Sequence, residues 1–305
     1  MNQRVRPKKI TVFGHRGARG VYPENTMSGF QYLRDIGVDA VEVDVQNAAS
    51  RVTVVAHDPH IAPALTRDRD GAWVTDASRA ILRVEIAELA ELDVGTIKSG
   101  TDYAARFPDQ ARLDDERIPT FETFCEWASK DPSLLVNVEI KSHATRSDIN
   151  DPPEVLAEDI VGLLTKYGLL DRSLVSSFDW RVIHACARLA PELQRGYLTL
   201  SRSHGSTMEV NVFEDSLWMD GVRLSDHENS LPQAIADLDG HVWCPYFEDL
   251  NEDDLAWAQK CGLRVNVWTV NEAKDIHRMV EMGVDGIISD YPARVQNVLA
   301  TRTVD

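Results

Sequence analysis

Eight apolar runs of strand type recur along the chain, at 10–15, 39–45, 134–140, 173–177, 194–199, 241–246, 264–268 and 285–289, and most are followed by a stretch with helical spacing. Strands alternating with helices eight times over describe an α/β fold, a parallel eight-stranded (β/α)8 TIM barrel, whose site lies at the C-terminal ends of the strands. Barrels of this kind reach 305 residues as one unit, and no Gly/Ser/Pro-rich linker divides the sequence, so residues 1–305 read as a single domain. The alternation breaks twice, from Pro59 to Pro119 and from Ser201 to Gly240. The first break carries RDRDGAWVTD and a helical stretch around Val84 to Leu92, too much structure for a loose loop. It reads as a small inserted cap, about 59–118, between strand 2 and the following helix. The second break is polar and contains SRSHGST, and either excursion is placed to shape a leaving-group pocket.

Helix boundaries follow local chemistry. Asn25 or Thr26 is placed to cap a helix through Arg34, and the segments Asp254 to Lys260 and Ala273 to Met282 are followed by Gly262 and Gly283 as stops.

The ends of the strand runs hold an unusual set of side chains: His15-Arg16 after KITVFG, Glu42 and Asp44 inside AVEVDV, His57-Asp58 after VTVVA, and Glu139-Lys141 in LLVNVEIK. Alternate residues of a strand point to opposite faces, so Glu42 and Asp44 share one face while Val41, Val43 and Val45 share the other. Two carboxylates in one cavity raise a pKa or require a cation between them. A third, Glu139, makes an all-oxygen cage, which favours one divalent cation, Mg²⁺ or Ca²⁺, over Zn²⁺. The link from Val45 to Val52 is too short for a parallel crossover, so the chain should return as an antiparallel hairpin turning near Ala49-Ser50. That hairpin brings His57 back roughly level with Glu42.

A formal net charge of −17 opposes nucleic acid and anionic lipid surfaces as partners. An anionic substrate then needs a local positive well, for which the cation, Arg16 and Lys141 are the candidates. The start, MNQRVRPKKI, lacks the long apolar stretch of a signal peptide, and no segment has the length of a membrane helix, so no stable membrane insertion is expected. Cys125, Cys186, Cys244 and Cys261 show no paired metal spacing and read as reduced core thiols, consistent with a cytoplasmic location. Oligomeric state is not encoded in any feature of this kind.

In order along the chain, GHRGARGVYPENT, VEVDVQ, VVAHD, IPTFETF, NVEIK, SSFDW, VWTVN and GVDGIISDYP resemble the glycerophosphodiester phosphodiesterase family over nearly the whole length. The resemblance implies a barrel, a bound divalent cation with Glu42, Asp44 and Glu139 as ligands, His15 and His57 as the catalytic pair, and Arg16 and Lys141 at phosphate-binding positions. It departs at the hairpin turn, NAASR here, where relatives usually show a Thr-Lys-Asp-Gly-like sequence.

The expected activity is metal-dependent hydrolysis of a small-molecule phosphodiester, such as glycerophosphocholine or glycerophosphoethanolamine, to glycerol 3-phosphate and an alcohol. A cation neutralises phosphate charge, and two imidazoles supply acid and base. Either water or a substrate hydroxyl serves as nucleophile in such a site. Several residues have simpler readings: Glu139 and Lys141 as a strand-face ion pair, Trp268 as core packing instead of a wall for the glycerol moiety, and Glu24 in PENT as part of a turn. The other histidines, His143 being nearest to the set, lack ligand spacing. Two alternatives remain at this level: a lysophospholipase D-type enzyme acting on lysolipids, and a catalytically silent phosphometabolite-binding barrel. Loss of a histidine or a carboxylate would mark the second, and all five are present.

Overall fold

A computed structural model describes residues 9–203 and 209–302 of the chain. Its strands are β1 Thr11–Gly14, β2 Ala40–Asn47, β3 Thr53–Val55, β4 Leu135–Ile140, β5 Ser173–Ser177, β6 Gln194–Thr199, β7 Val242–Pro245, β8 Arg264–Val267 and β9 Gly286–Ser289. The order β1-β9-β8-β7-β6-β5-β4-β2, with β1 also bonded to β2, closes a ring of eight parallel strands. All eight expected runs are in that ring. β3 lies outside it, antiparallel on β2 with Val45 opposite Val55 and Asn47 opposite Thr53. The NAASR turn is made by a short 3₁₀ segment, Ala49–Arg51, with Ser50 and Arg51 at positive φ. The hairpin therefore closes despite its unusual turn sequence.

Parallel strands carry their register partners on the same side of the sheet. Glu42 pairs with Asn137 and Asp44 with Glu139, so these polar residues share the barrel interior. The intervening Val41, Val43, Val45, Val136 and Val138 pack outward in one core with helix residues such as Phe30, Leu33, Phe124 and Leu156. Among the described residues, eight helices follow the ring strands: Met27–Asp35, Phe121–Ser129, Pro153–Lys166, Trp180–Leu189, Leu231–Asp237, Glu252–Lys260, Ala273–Met282 and Pro292–Arg302. Thr26 caps the first of these, its hydroxyl accepting from the Gly29 N–H at 3.2 Å, and Gly283 in the left-handed region ends the helix before β9.

The segment after β3 forms a compact insertion with its own apolar cluster, in which Ile61, Ile81, Val84, Leu89 and Leu92 pack on Ala48 and Val54 of the hairpin. The helix expected around Val84 to Leu92 is shorter, Ile86–Leu89, and a second short helix runs Asp102–Arg106. The stretch 201–240 differs from expectation, because it contains the barrel helix Leu231–Asp237 and so interrupts the alternation less than its polarity suggests. His204 lies outside the described residues.

Gly14, the last residue of β1, sets the path into the site. A Cβ there would lie 2.3 Å from the Gly17 carbonyl oxygen and 2.5 Å from the Leu33 methyls, so only glycine lets the His15-Arg16-Gly17 turn fold back on the strand end. Gly14→Ala should lower stability by about 1–3 kcal/mol, read as a drop in urea midpoint at unchanged slope. An unchanged midpoint would show that the turn relaxes freely.

Candidate active site

Glu42, Asp44 and Glu139 are brought together by the β2–β4 register. Each offers an oxygen within 4.8 Å of the others, and all three are buried. Burial, then repulsion from Asp44 and Glu139, raises the Glu42 carboxyl well above the usual carboxylate range. Burial acts on Asp44 in the same sense, but the charges of Lys141 and Arg16 outweigh it and hold Asp44 below its ordinary value. Lys141 is shared by Asp44 and Glu139 and Arg16 by Asp44 and Glu24, so neither cation pairs with the Glu42 side chain. Glu42 Oε1 and Asp44 Oδ1 are buried without hydrogen-bond partners. A buried orphan acceptor costs about 1–3 kcal/mol, and a hard cation would satisfy both here, so the donor set fits Mg²⁺ or Ca²⁺.

Arg16 sits at φ 51°, a left-handed turn that aims its backbone N–H at Glu42 Oε2, 2.7 Å away. Its Nη1 reaches Glu24 at 3.0 Å and its Nε lies 3.2 Å from Asp44. Glu24 is thus turned onto Arg16 and also accepts from the Tyr103 hydroxyl of the insertion. Lys141 follows β4, donating to Glu139 and lying 3.5 Å from Asp44 Oδ1. The strand-face ion pair expected as the simpler reading of Glu139 and Lys141 is present, and it borders the carboxylate cluster.

His15 is fixed from behind. Its Nδ1 lies 2.6 Å from Asp290 Oδ1, and its Nε2 lies 3.9 Å from Glu42. Burial first, and the charge of Arg19 second, push the imidazole down to about 4 despite Asp290, so it is neutral near pH 7. His57 is less buried, with Nδ1 2.7 Å from Asp58 Oδ1. It shares the wall of one cavity with Glu139, Lys141, Phe178 and Trp218, which also includes His143. Trp268 stands behind that wall: its ring meets Phe178 edge-on at 5.2 Å and its Nε1 donates to the Cys244 carbonyl at 2.8 Å.

Several supporting residues were not anticipated. Asp290 accepts both Arg19 Nε (2.8 Å) and Nη2 (3.0 Å), and Asn271 donates to it at 2.7 Å. Asn25 donates to Asp44 Oδ2 at 2.9 Å. Asp290 directly follows β9, the same strand-end position that singled out His15, and it lies in the SDYP motif. Its carboxyl, buried but facing Arg19 and His15, is held below the usual range. Such a carboxyl adds stability above its unfolded pKa, about 3.9, and the contribution fades as pH falls. Asp290→Asn, which leaves the Arg19 guanidinium buried and unpaired, should cost about 3–5 kcal/mol at pH 7. The gap to the parent protein should narrow below pH ~4. Denaturant melts at both pH values check this, and a pH-independent gap would contradict it.

The sequence profile of the Glycerophosphoryl diester phosphodiesterase family matches residues 15–294. The chain is 27% identical over 292 residues to a glycerophosphodiester phosphodiesterase of Caldanaerobacter subterraneus subsp. tengcongensis, covering 95% of this chain and 98% of that one. It is 23% identical to the human protein named Lysophospholipase D GDPD1, over 97% and 87% of the two chains. A solved structure from Silicibacter pomeroyi DSS-3, described as a putative glycerophosphoryl diester phosphodiesterase, superposes with a TM-score of 0.84 at 37% identity, covering 97% of this chain and 95% of that one. An Oleispira antarctica phosphodiesterase solved with sn-glycerol-3-phosphate shares the fold, with a TM-score of 0.69 at 22% identity over 95% and 96% of the chains. Among the described residues no helix is long and apolar enough to cross a membrane. With a closed eight-stranded barrel, a carboxylate triad carried by β2 and β4 and a profile match across almost its whole length, the chain belongs to the glycerophosphoryl diester phosphodiesterase family.

Proposed function

We propose that this chain hydrolyses glycerophosphodiesters to glycerol 3-phosphate and an alcohol, using one divalent cation, Mg²⁺ or Ca²⁺, and the pair His15 and His57. The observation that carries the reading is the buried Glu42–Asp44–Glu139 cluster with two orphan oxygens, bordered by both histidines and by Arg16 and Lys141. In this reading residues 1–305 act as one domain, with the 59–118 insertion as its cap.

When bound, the cation supplies Lewis-acid neutralisation of phosphate charge. Arg16 and Lys141 add fixed positive charge beside it and orient the phosphate oxygens. His15 keeps its Nδ1 on Asp290, which leaves Nε2 free to take the proton of the attacking oxygen, whether from water or from a neighbouring substrate hydroxyl. His57, oriented by Asp58, gives its proton to the departing alkoxide. Phe178, backed by Trp268, and Trp218 wall the cavity on the Lys141 side.

The direct test is release of glycerol 3-phosphate from glycerophosphocholine and glycerophosphoethanolamine by metal-stripped protein, with and without restored Mg²⁺ or Ca²⁺. Turnover only with a cation supports the reading; turnover unaffected by chelation refutes the metal role. Accumulation of a cyclic phosphate would identify the substrate hydroxyl as nucleophile.

A further inference from the structure

Glu42, Asp44 and Glu139 take their direction from barrel strands, whereas Arg16 sits on a turn at positive φ. The barrel alone does not fix a long side chain leaving such a turn. The contacts that do so come from the 59–118 insertion. Its short helix Asp102–Arg106 is capped by the Thr101 hydroxyl, which accepts from the Ala104 N–H at 3.2 Å, and the Phe107 N–H closes the last turn on the Tyr103 carbonyl at 3.2 Å. Residues four apart on a helix share a face, so Tyr103 and Phe107 lie side by side, with ring centroids 5.0 Å apart.

Two lines of contact run from that face into the site. In the first, the Tyr103 hydroxyl donates to Glu24 Oε2, and both Glu24 oxygens accept from Arg16 Nη1, at 3.0 and 3.2 Å. Burial and the charge of Glu24 raise the Tyr103 hydroxyl well above its ordinary range, so it stays a donor. In the second, the Arg19 guanidinium lies over the Phe107 ring, 4.9 Å from its centre, and Gln110 Nε2 donates to the Arg19 carbonyl at 2.7 Å. Arg19 grips Asp290, the partner of His15. Docking of the insertion is already provided by its apolar cluster on Ala48 and Val54, so the polar contacts of 103–110 are available for another task.

We infer that Tyr103 is a positioning residue for Arg16, acting through Glu24, and that Phe107 with Gln110 positions His15 through Arg19 and Asp290. The inference rests on the phosphodiesterase reading. It gives the insertion a part in the chemical step: one face of a five-residue helix sets both the phosphate-binding guanidinium and the proton-accepting imidazole.

The test uses full-length protein with its cation, glycerophosphocholine as substrate, and crossed double-mutant cycles. Tyr103→Phe, which keeps the ring beside Phe107, should lower kcat/KM by about tenfold, the scale of one hydrogen bond to a charged group. On an Arg16→Ala background the same change should cost less than about twofold, because no guanidinium is left to place. Phe107→Leu should lower kcat/KM by about fivefold, the scale of a cation–π contact. That loss should vanish on a His15→Ala background and persist on Arg16→Ala. The inhibition constant of inorganic phosphate, which does not depend on the folded fraction, should rise with Tyr103→Phe and stay level with Phe107→Leu. A role in folding alone would instead lower activity by the same factor on every background and leave the phosphate constant unmoved. Either of those results overturns the proposal and leaves the phosphodiesterase reading intact. A parent protein inactive on every diester with either cation overturns both.

Discussion

Glu42→Gln is expected to reduce cation-supported turnover by roughly 10³-fold or more, equivalent to about 4 kcal/mol of transition-state stabilisation, without destabilising the metal-free protein. The glutamine amide keeps an oxygen to accept the Arg16 N–H, so the local turn is preserved. The substitution removes a carboxyl that burial and its two acidic neighbours hold well above its normal pKa. A carboxyl with a raised folded pKa costs stability at any pH above its unfolded value near ~4.3, and that cost grows until its folded pKa is reached. The variant carries no such cost at pH 7. Cation binding reverses the comparison, since a ligand at about 100 times its Kd adds about 2.7 kcal/mol to a protein that holds it. Thermal melts with and without Mg²⁺ or Ca²⁺ should show a cation-dependent rise for the parent and little for the variant. An equal rise in both would remove Glu42 from the ligand set, whatever the activity.

The carboxylate cluster was legible because strand periodicity and parallel register are local rules: Glu42 and Asp44 are two apart, and Glu139 sits in a strand of the same build that pairs in register with β2. His57 was legible for a topological reason, since six residues cannot make a crossover. What escaped was long range or conformational. Asp290 reaches His15 from the other end of the chain because β9 closes the ring on β1, a contact that strand patterns alone do not specify. The Tyr103–Glu24–Arg16 connection depends on how the insertion folds over the barrel, and nothing in PENT signals that Glu24 is turned away from the cluster onto a guanidinium. The shortfall of the helix expected around Val84 to Leu92 has a similar origin. Leu89 and Leu92 are buried in the insertion's own cluster, where irregular backbone places them as well as a longer helix would.

His15→Ala and His57→Ala should each lower kcat/KM for glycerophosphocholine by about 10²–10⁴-fold, the usual contribution of a positioned acid or base. Their response to the leaving group should differ. The His15 ring is buried, neutral near pH 7 and tied through Nδ1 to Asp290, an environment that suits a proton acceptor. His57 is more open, is held through Nδ1 by Asp58 and lines both the cavity on the Lys141 side and the one beside the insertion, a placement from which a ring can assist a departing alkoxide. With a p-nitrophenyl glycerophosphodiester the leaving oxygen departs without a proton, so the His57→Ala defect should shrink to within about tenfold while the His15→Ala defect persists. Rescue of His15→Ala instead would exchange the two roles. Equal defects on both substrates would mean that neither ring protonates the leaving group. The fixed contribution of the pair would then lie in holding the attacking oxygen, because leaving-group assistance is the one step that an activated ester makes unnecessary.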